Sequence, residues 1–342
     1  MADKKKSKSK KRKNRPVYSG IGGQAVLEGI MMKNKNEYSV AVRLPNGSID
    51  VKKWDYEGVL GSSFIKKIPF VRGVVNFIDS MVLGMRTLTY SSSFYEDEEE
   101  TKSDGFLNKL FGDKAEDVVM GGTVFVSLVI AIGIFMILPY FISQWLGEII
   151  LNDSLIAIIE GVVRLVIFLV YVLAISLMKD IYRLYQYHGA EHKCINCIES
   201  GKALNVENVK KSSRLHRRCG TSFLLIVMLI TIICFFFIRV DEVWLRLVLR
   251  LLLIPVIAGI SYEILRYAGK HDNGLVKIIS APGLLLQKIT TKEPDESMIE
   301  VAIASIEKIY DWRGFQKKYF GIDTEEISGD IQTDAGEGEQ TP

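Results

Sequence analysis

Val118-Val-Met-Gly-Gly-Thr-Val-Phe-Val-Ser-Leu-Val-Ile-Ala-Ile-Gly-Ile-Phe-Met-Ile-Leu138 runs for twenty-one residues without a charged side chain. At about 1.5 Å per residue, a helix of that length crosses a hydrocarbon core of roughly 30 Å, so this stretch decides the fold class. Further apolar runs follow at 155–178, 222–238 and 244–265, and the first run continues to residue 141. The sequence therefore predicts an α-helical polytopic membrane protein with four transmembrane helices and both termini on one side. Lys and Arg choose the side: 139–154 has none, whereas 179–221 holds nine and the N-terminal region is rich in them. Short loops rich in these residues stay in the cytoplasm, so both termini and 179–221 are expected inside, with 139–154 and the tight 239–243 turn outside.

The composition agrees. The chain has 342 residues, 48% apolar and 24% charged, a net charge of +3 and a mean hydropathy of +0.18, so charged and apolar residues are segregated along it. Collagen-like and wholly disordered chains are excluded. Four cysteines without a regular framework or a secretory signal exclude a disulfide-built secreted protein. With 179–221 inside, Cys194, Cys197 and Cys219 meet a reducing compartment, which favours metal or catalytic use over a disulfide.

Upstream of the spans, residues 1–16 form a basic tail carrying Lys4, Lys5, Lys6, Lys8, Lys10, Lys11, Arg12, Lys13 and Arg15, expected to be disordered. Residues 17–62 are expected to hold a small cytoplasmic β element. Within it 19–32 is glycine-punctuated and apolar, and Tyr38–Leu44 and Ser48–Trp54 alternate around Pro45-Asn46-Gly47, a hairpin signal. In 63–90, Val71, Val74, Val75, Ile78, Met81, Val82, Met85 and Leu88 recur at helical spacing, which predicts an amphipathic helix over 69–89, on the membrane or packed in a bundle. An acidic linker occupies 91–117. Beyond the spans, 266–322 is expected to be a cytoplasmic helical region, interfacial at 281–290 and helical over 295–313 from Pro294-Asp295, before an acidic disordered tail at 323–342.

Three of the four histidines lie in the 179–221 loop, where His188-Gly-Ala-Glu191-His192 has the H-x-x-E-H order of the inverted zincins. Residues four apart share a helix face, so His188 and His192 can hold one Zn²⁺ or another divalent metal while Glu191 acts as general base on water. A third ligand is needed, with Glu199, His216 and Cys219 as candidates. Glu199 is seven residues past His192, roughly 10 Å along an unbroken helix, so it joins only if the helix ends near Cys194 or Asn196. His216 and Cys219 lie beyond a loop and escape that limit. The alternative is that these side chains cap and pack a juxtamembrane loop. Cys194-x-x-Cys197 adds thiols off the histidine face. No phosphate-binding glycine loop or serine elbow is present.

Glu160 and Arg164 lie one turn apart in the second span, as do Arg246 and Arg250 in the fourth. Charges at such depth face a bundle interior or a water-filled cavity, so these line a polar groove or form a structural ion-pair network with snorkelling arginines. The basic tail suits anionic lipid, or a ribosome beside a translocon, or else serves only topology. It lacks interleaved aromatics, which argues against sequence-specific nucleic-acid binding.

The blocks GGQAVLEGIMM (22–32), PFVRGVVNFIDSM (69–81), YHGAEHKCINCIESG (187–201), LHRRCGTSF (215–223) and PGLLLQKITTKEPDESMIEVAI (282–303) resemble the YqhQ-like family of bacterial membrane proteins over residues 17–312. The resemblance implies an inner-membrane protein of a family without a known function, usually labelled a predicted metal-dependent enzyme. Two expectations stand together. One is a zinc-type hydrolase acting on a peptide or lipid-linked substrate at the cytoplasmic face. The other is a non-enzymatic factor for membrane-protein biogenesis, using the basic tail on the ribosome. A metal transporter or sensor fits the loop but lacks ligands at membrane depth. The sequence leaves open whether Glu28 approaches the loop as a further ligand.

Overall fold

The computed structural model describes residues 17–61, 64–95, 115–150, 152–238, 240, 242–271 and 273–322. The basic tail at 1–16, residues 96–114 of the acidic linker and the acidic tail at 323–342 lie outside the described residues. Four antiparallel strands, β1 (Ile21–Val26), β2 (Gly29–Asn34), β3 (Glu37–Arg43) and β4 (Ile49–Asp55), form one sheet in sequence order. The helices are α1 (Val71–Ser92), α2 (Ala115–Ile132), α3 (Leu138–Gly147), α4 (Asp153–Ile175), α5 (Lys179–Glu199), α6 (Val206–Lys210), α7 (Gly220–Phe236), α8 (Val243–Lys270), α9 (Gly274–Thr290), α10 (Glu296–Ile309) and α11 (Trp312–Phe320).

The hairpin expected around Pro45-Asn46-Gly47 is β3–β4, with Arg43 opposite Ile49. The β element is larger than its sequence signal, because GGQAVLEGIMM makes a second hairpin, β1–β2, whose turn places Glu28 at φ 47°. Its alternation is hidden because β2 is covered on both faces. On one face Val26, Met31, Tyr38, Val40 and Val42 pack with Leu83 of α1. On the other, Ile30, Met32 and Ala41 pack with Tyr187 and Cys194 of α5 and with Met298, Ala302 and Ile306 of α10. Asp295 caps α10 by accepting from the Met298 N–H at 2.9 Å, as Pro294-Asp295 signals. The 281–290 stretch belongs to a longer helix, α9, capped by Asn273.

The amphipathic helix α1 is packed between the sheet and α8. Its Arg72 pairs with Glu263 at 2.6 Å, and Asn76 donates to the Tyr262 hydroxyl at 2.9 Å. Phe77, Ile78, Met81, Met85 and Leu88 stay exposed.

Among the described residues, three helical stretches are long and apolar enough to cross a membrane: Gly121–Gly147, Ser154–Ile175 and Trp244–Gly269. Only 6%, 28% and 22% of their apolar windows are buried within the protein, so each turns most of its apolar surface outward. The remaining expected span is α7, apolar but 17 residues long. The connection expected over 139–154 is shorter than its composition suggests, since the chain remains helical to Gly147. Pro139 does not end the helix, because a π-helical turn at Gly133–Ile137 precedes it.

Candidate metal centre

α5 runs unbroken from Lys179 to Glu199, which puts both histidines of HGAEH on one face. His188 Nδ1 lies 2.9 Å from the Thr290 carbonyl, and His192 Nδ1 lies 2.7 Å from the Arg214 carbonyl. Carbonyls only accept, so each ring carries its proton on Nδ1 and presents a bare Nε2 inward. His188 Nε2 lies 3.1 Å from Cys219 Sγ. His192 Nε2 is buried and has no hydrogen-bond partner. The His188, His192 and Cys219 ligand atoms all lie within 4.8 Å of one another. Burial pushes the His192 pKa below the ordinary histidine value and holds the ring neutral.

Cys219 owes its place to α7. It is the N-cap residue of that helix, where its Sγ accepts from the Thr221 N–H at 3.4 Å, so the thiol stands at the foot of an apolar helix. The Glu191 carboxylate is buried and accepts from the Gly23 N–H of β1. Burial pushes its carboxyl pKa up, against the opposing pull of His188, His216 and that N–H. A side chain on Gly23 would press on Met31 and on Glu191, so this position must stay bare. A cleft of about 680 Å³ opens between β1 and the α5–α7 junction, lined by Gly23, Tyr185, Glu191, His192, Cys219 and Thr221 among others.

Glu199 lies outside this cluster, and His216, whose ring centroid is 5.6 Å from that of His192, turns its Nε2 toward Glu199. The Glu199 carboxylate accepts from the Ser19 N–H at 2.9 Å and pairs with Arg218 at 3.0 Å, and His216 Nε2 lies 3.6 Å from it. The helix therefore carries Glu199 past the histidines. Glu28 is also turned away, held by Arg183 and the Tyr187 hydroxyl. Cys194 and Cys197 are buried, and burial pushes both thiols up, Cys197 to about 11, so they stay protonated.

Residues 68–312 match the model of a family described as "Protein of unknown function (DUF1385)". The chain belongs to the DUF1385 family. It is similar to the uncharacterized protein YqhQ of Bacillus subtilis (strain 168), 39% identical over 310 residues, which covers 87% of this chain and 94% of YqhQ. No solved structure matches it.

This DUF1385 protein also gathers charge between its apolar helices. Glu160 pairs with Arg164 at 2.7 Å and with Arg250 at 2.6 Å, and both guanidinium groups lie over the Phe235 ring, at 4.9 and 4.8 Å. Pro139 has no N–H to return to Phe135 four residues back, and the Phe135 carbonyl accepts from Arg164 Nε at 2.9 Å instead. Arg246 does not join, since it donates to the Val240 carbonyl and covers Tyr140. Thr290, Arg214 and Gly23, whose backbones orient the DUF1385 cluster, carry no signal of that role as residue types.

Proposed function

We propose that this protein is a membrane-embedded, metal-dependent hydrolase working at the cytoplasmic face of the bacterial inner membrane. His188 Nε2, His192 Nε2 and Cys219 Sγ would hold a zinc-class ion, and Glu191 would be the general base. The observation that carries the reading is the buried His192 Nε2, which has no partner while its Nδ1 is fixed on a carbonyl. A buried nitrogen in that state costs stability unless something binds it, and a carbonyl on the far nitrogen is the usual support of a metal-bound histidine. Two imidazoles and a thiol suit zinc, and three protein ligands leave a position for substrate.

When bound, such an ion supplies Lewis acidity at a substrate carbonyl. The carbonyls of Thr290 and Arg214 hold the imidazoles in place. Glu191, its carboxyl pushed up by burial, takes a proton from a water molecule as the water oxygen adds to the carbonyl carbon. The bond from that carbon to the leaving amine or alcohol then breaks, and Glu191 returns the proton to the departing atom.

The test is metal content of the purified full-length protein by elemental mass spectrometry. About one zinc per chain, lost in His188→Ala/His192→Ala at matched folding, supports the reading. No stoichiometric metal in protein prepared without chelator overturns it and favours the biogenesis factor.

The Lys and Arg pattern supports four spans, with α7 as the third and both termini inside. A cysteine introduced at Glu148 should be labelled by an impermeant thiol reagent from outside the cell, and one at Lys202 only after lysis. The reverse pattern, or labelling of both from one side, overturns that topology. The basic tail would then face anionic lipid or the ribosome.

A further inference from the structure

β1 is an edge strand. Among the described residues it pairs with β2 alone, and residues 20–25 line the cleft that also holds His188, His192 and Cys219. The two-residue turn at Leu27-Glu28 fixes which of its backbone groups face the sheet. Val26 and Gly29 close the turn as a hydrogen-bonded pair, so Gln24 and Gly22 exchange bonds with Met31 and Lys33, and Ile21, Gly23 and Ala25 direct theirs outward. Two outward N–H groups meet local stand-ins: Ile21 donates to Ser19 Oγ at 3.3 Å, and Gly23 donates to the Glu191 carboxylate. Covering an edge in this way blunts it against strangers.

We propose that the cleft takes a peptide segment in extended conformation, added to β1 as a fifth strand. A peptide carbonyl would replace Glu191 on the Gly23 N–H and so come to rest beside the freed carboxylate and the His188, His192 and Cys219 cluster. Cleavage of that peptide rests on the hydrolase reading, but its binding does not. The edge is bare, since a Cβ on Gly20 or Gly22 would meet nothing within 4 Å, so a partner finds main chain there rather than side chains. The cleft volume, about 680 Å³, lies within the range of ligand pockets and suits a few residues. Its wall includes Gly220, Thr221 and Leu224 of α7, so the favoured peptide is one lying at the membrane surface.

An anionic lipid headgroup fits less well, because two of the three Lys and Arg side chains that line the cleft, Lys33 and Arg218, are already engaged. Lys33 lies over the Tyr56 ring at 4.8 Å, and Arg218 is held by Glu199 and by the Gly269 carbonyl, both at 3.0 Å.

The experiment is hydrogen exchange over residues 20–26 of the full-length protein in detergent, metal-loaded and chelator-treated. The probes are acetyl-Ala-Val-Thr-Val-Ala-amide, the same peptide N-methylated at alternate residues, and phosphatidylglycerol. Exchange slowed about tenfold by the plain peptide at ten times its Kd, and not by the N-methylated one, supports β-addition. Equal slowing by both peptides, slowing by neither, or slowing by phosphatidylglycerol alone overturns it. Selective protection in a protein that holds no metal would uphold this inference while the hydrolase reading fell. A metal-loaded protein without protection would do the opposite.

Discussion

Gly189 and Lys292 touch backbone to backbone: a Cβ on Gly189 would lie 2.0 Å from the Lys292 carbonyl oxygen. That contact sits between the two histidines of HGAEH, and it brings the chain carrying Thr290 close enough to fix His188. The glycine of the motif is therefore there to admit a neighbour, whatever the chemistry.

Gly189→Ala should push the 290–294 segment off α5. We expect a loss of about 1–3 kcal/mol in stability and a drop in bound metal, because the Thr290 carbonyl moves with that segment. Thermal unfolding in detergent and metal stoichiometry check both. An unchanged midpoint would mean that the segment adjusts without cost.

Cys219→Ser should alter the colour of a cobalt-substituted protein. A thiolate ligand gives cobalt an intense near-ultraviolet charge-transfer band, so wild type should show it and the variant should not. The band surviving in Cys219→Ser would remove the thiol from the ligand set.

Acid should unfold the protein partly through Glu199. Burial alone would push its carboxyl up, but the His216 contact, Arg218 and the Ser19 N–H together hold it below the ordinary glutamate value. A carboxylate depressed in the folded state stabilises fully above its unfolded pKa, near 4.5, and loses that contribution as pH falls through the folded value. Glu199→Gln should cost roughly 1–3 kcal/mol at neutral pH and flatten the acid limb below about pH 4.5. Circular dichroism between pH 7 and 3 measures both.

Glu160→Gln should be worse than removing the whole cluster. The single change leaves Arg164 and Arg250 facing each other without a counter-charge, at a cost of about 3–5 kcal/mol, whereas Glu160→Met/Arg164→Met/Arg250→Leu removes the charges together. Melting temperatures in the same detergent rank the two variants. A triple variant less stable than Glu160→Gln would show that the ion pairs contribute net stability.

The apolar helices were legible because their signal is local. Charge-free length declares 121–147, apolar length interrupted only by Glu160 and Arg164 declares 154–175, and spacing declares α1. His188 and His192 were legible for the same reason, as four residues make one helical turn. Separating Cys219 from Glu199 required knowing whether α5 ends early, and its continuation past Asn196 depends on the sheet and α10 packed against Cys194, Cys197 and Ile198. The β1–β2 hairpin stayed hidden because burial on both faces of β2 erases the alternation by which strands are recognised. No residue type announces that its carbonyl will hold an imidazole, so Thr290 and Arg214 emerged only from the fold.

Ser39 of β3 hydrogen-bonds the Ser305 carbonyl of α10 across 266 residues of sequence. At roughly 5–20 residues per second, the ribosome needs on the order of tens of seconds to make the chain between them. The first strands synthesised are thus among the last to be enclosed, waiting while the apolar helices are made. A chain halted anywhere before α10 displays a half-covered sheet, which makes quality control of its synthesis a matter of timing rather than of final stability.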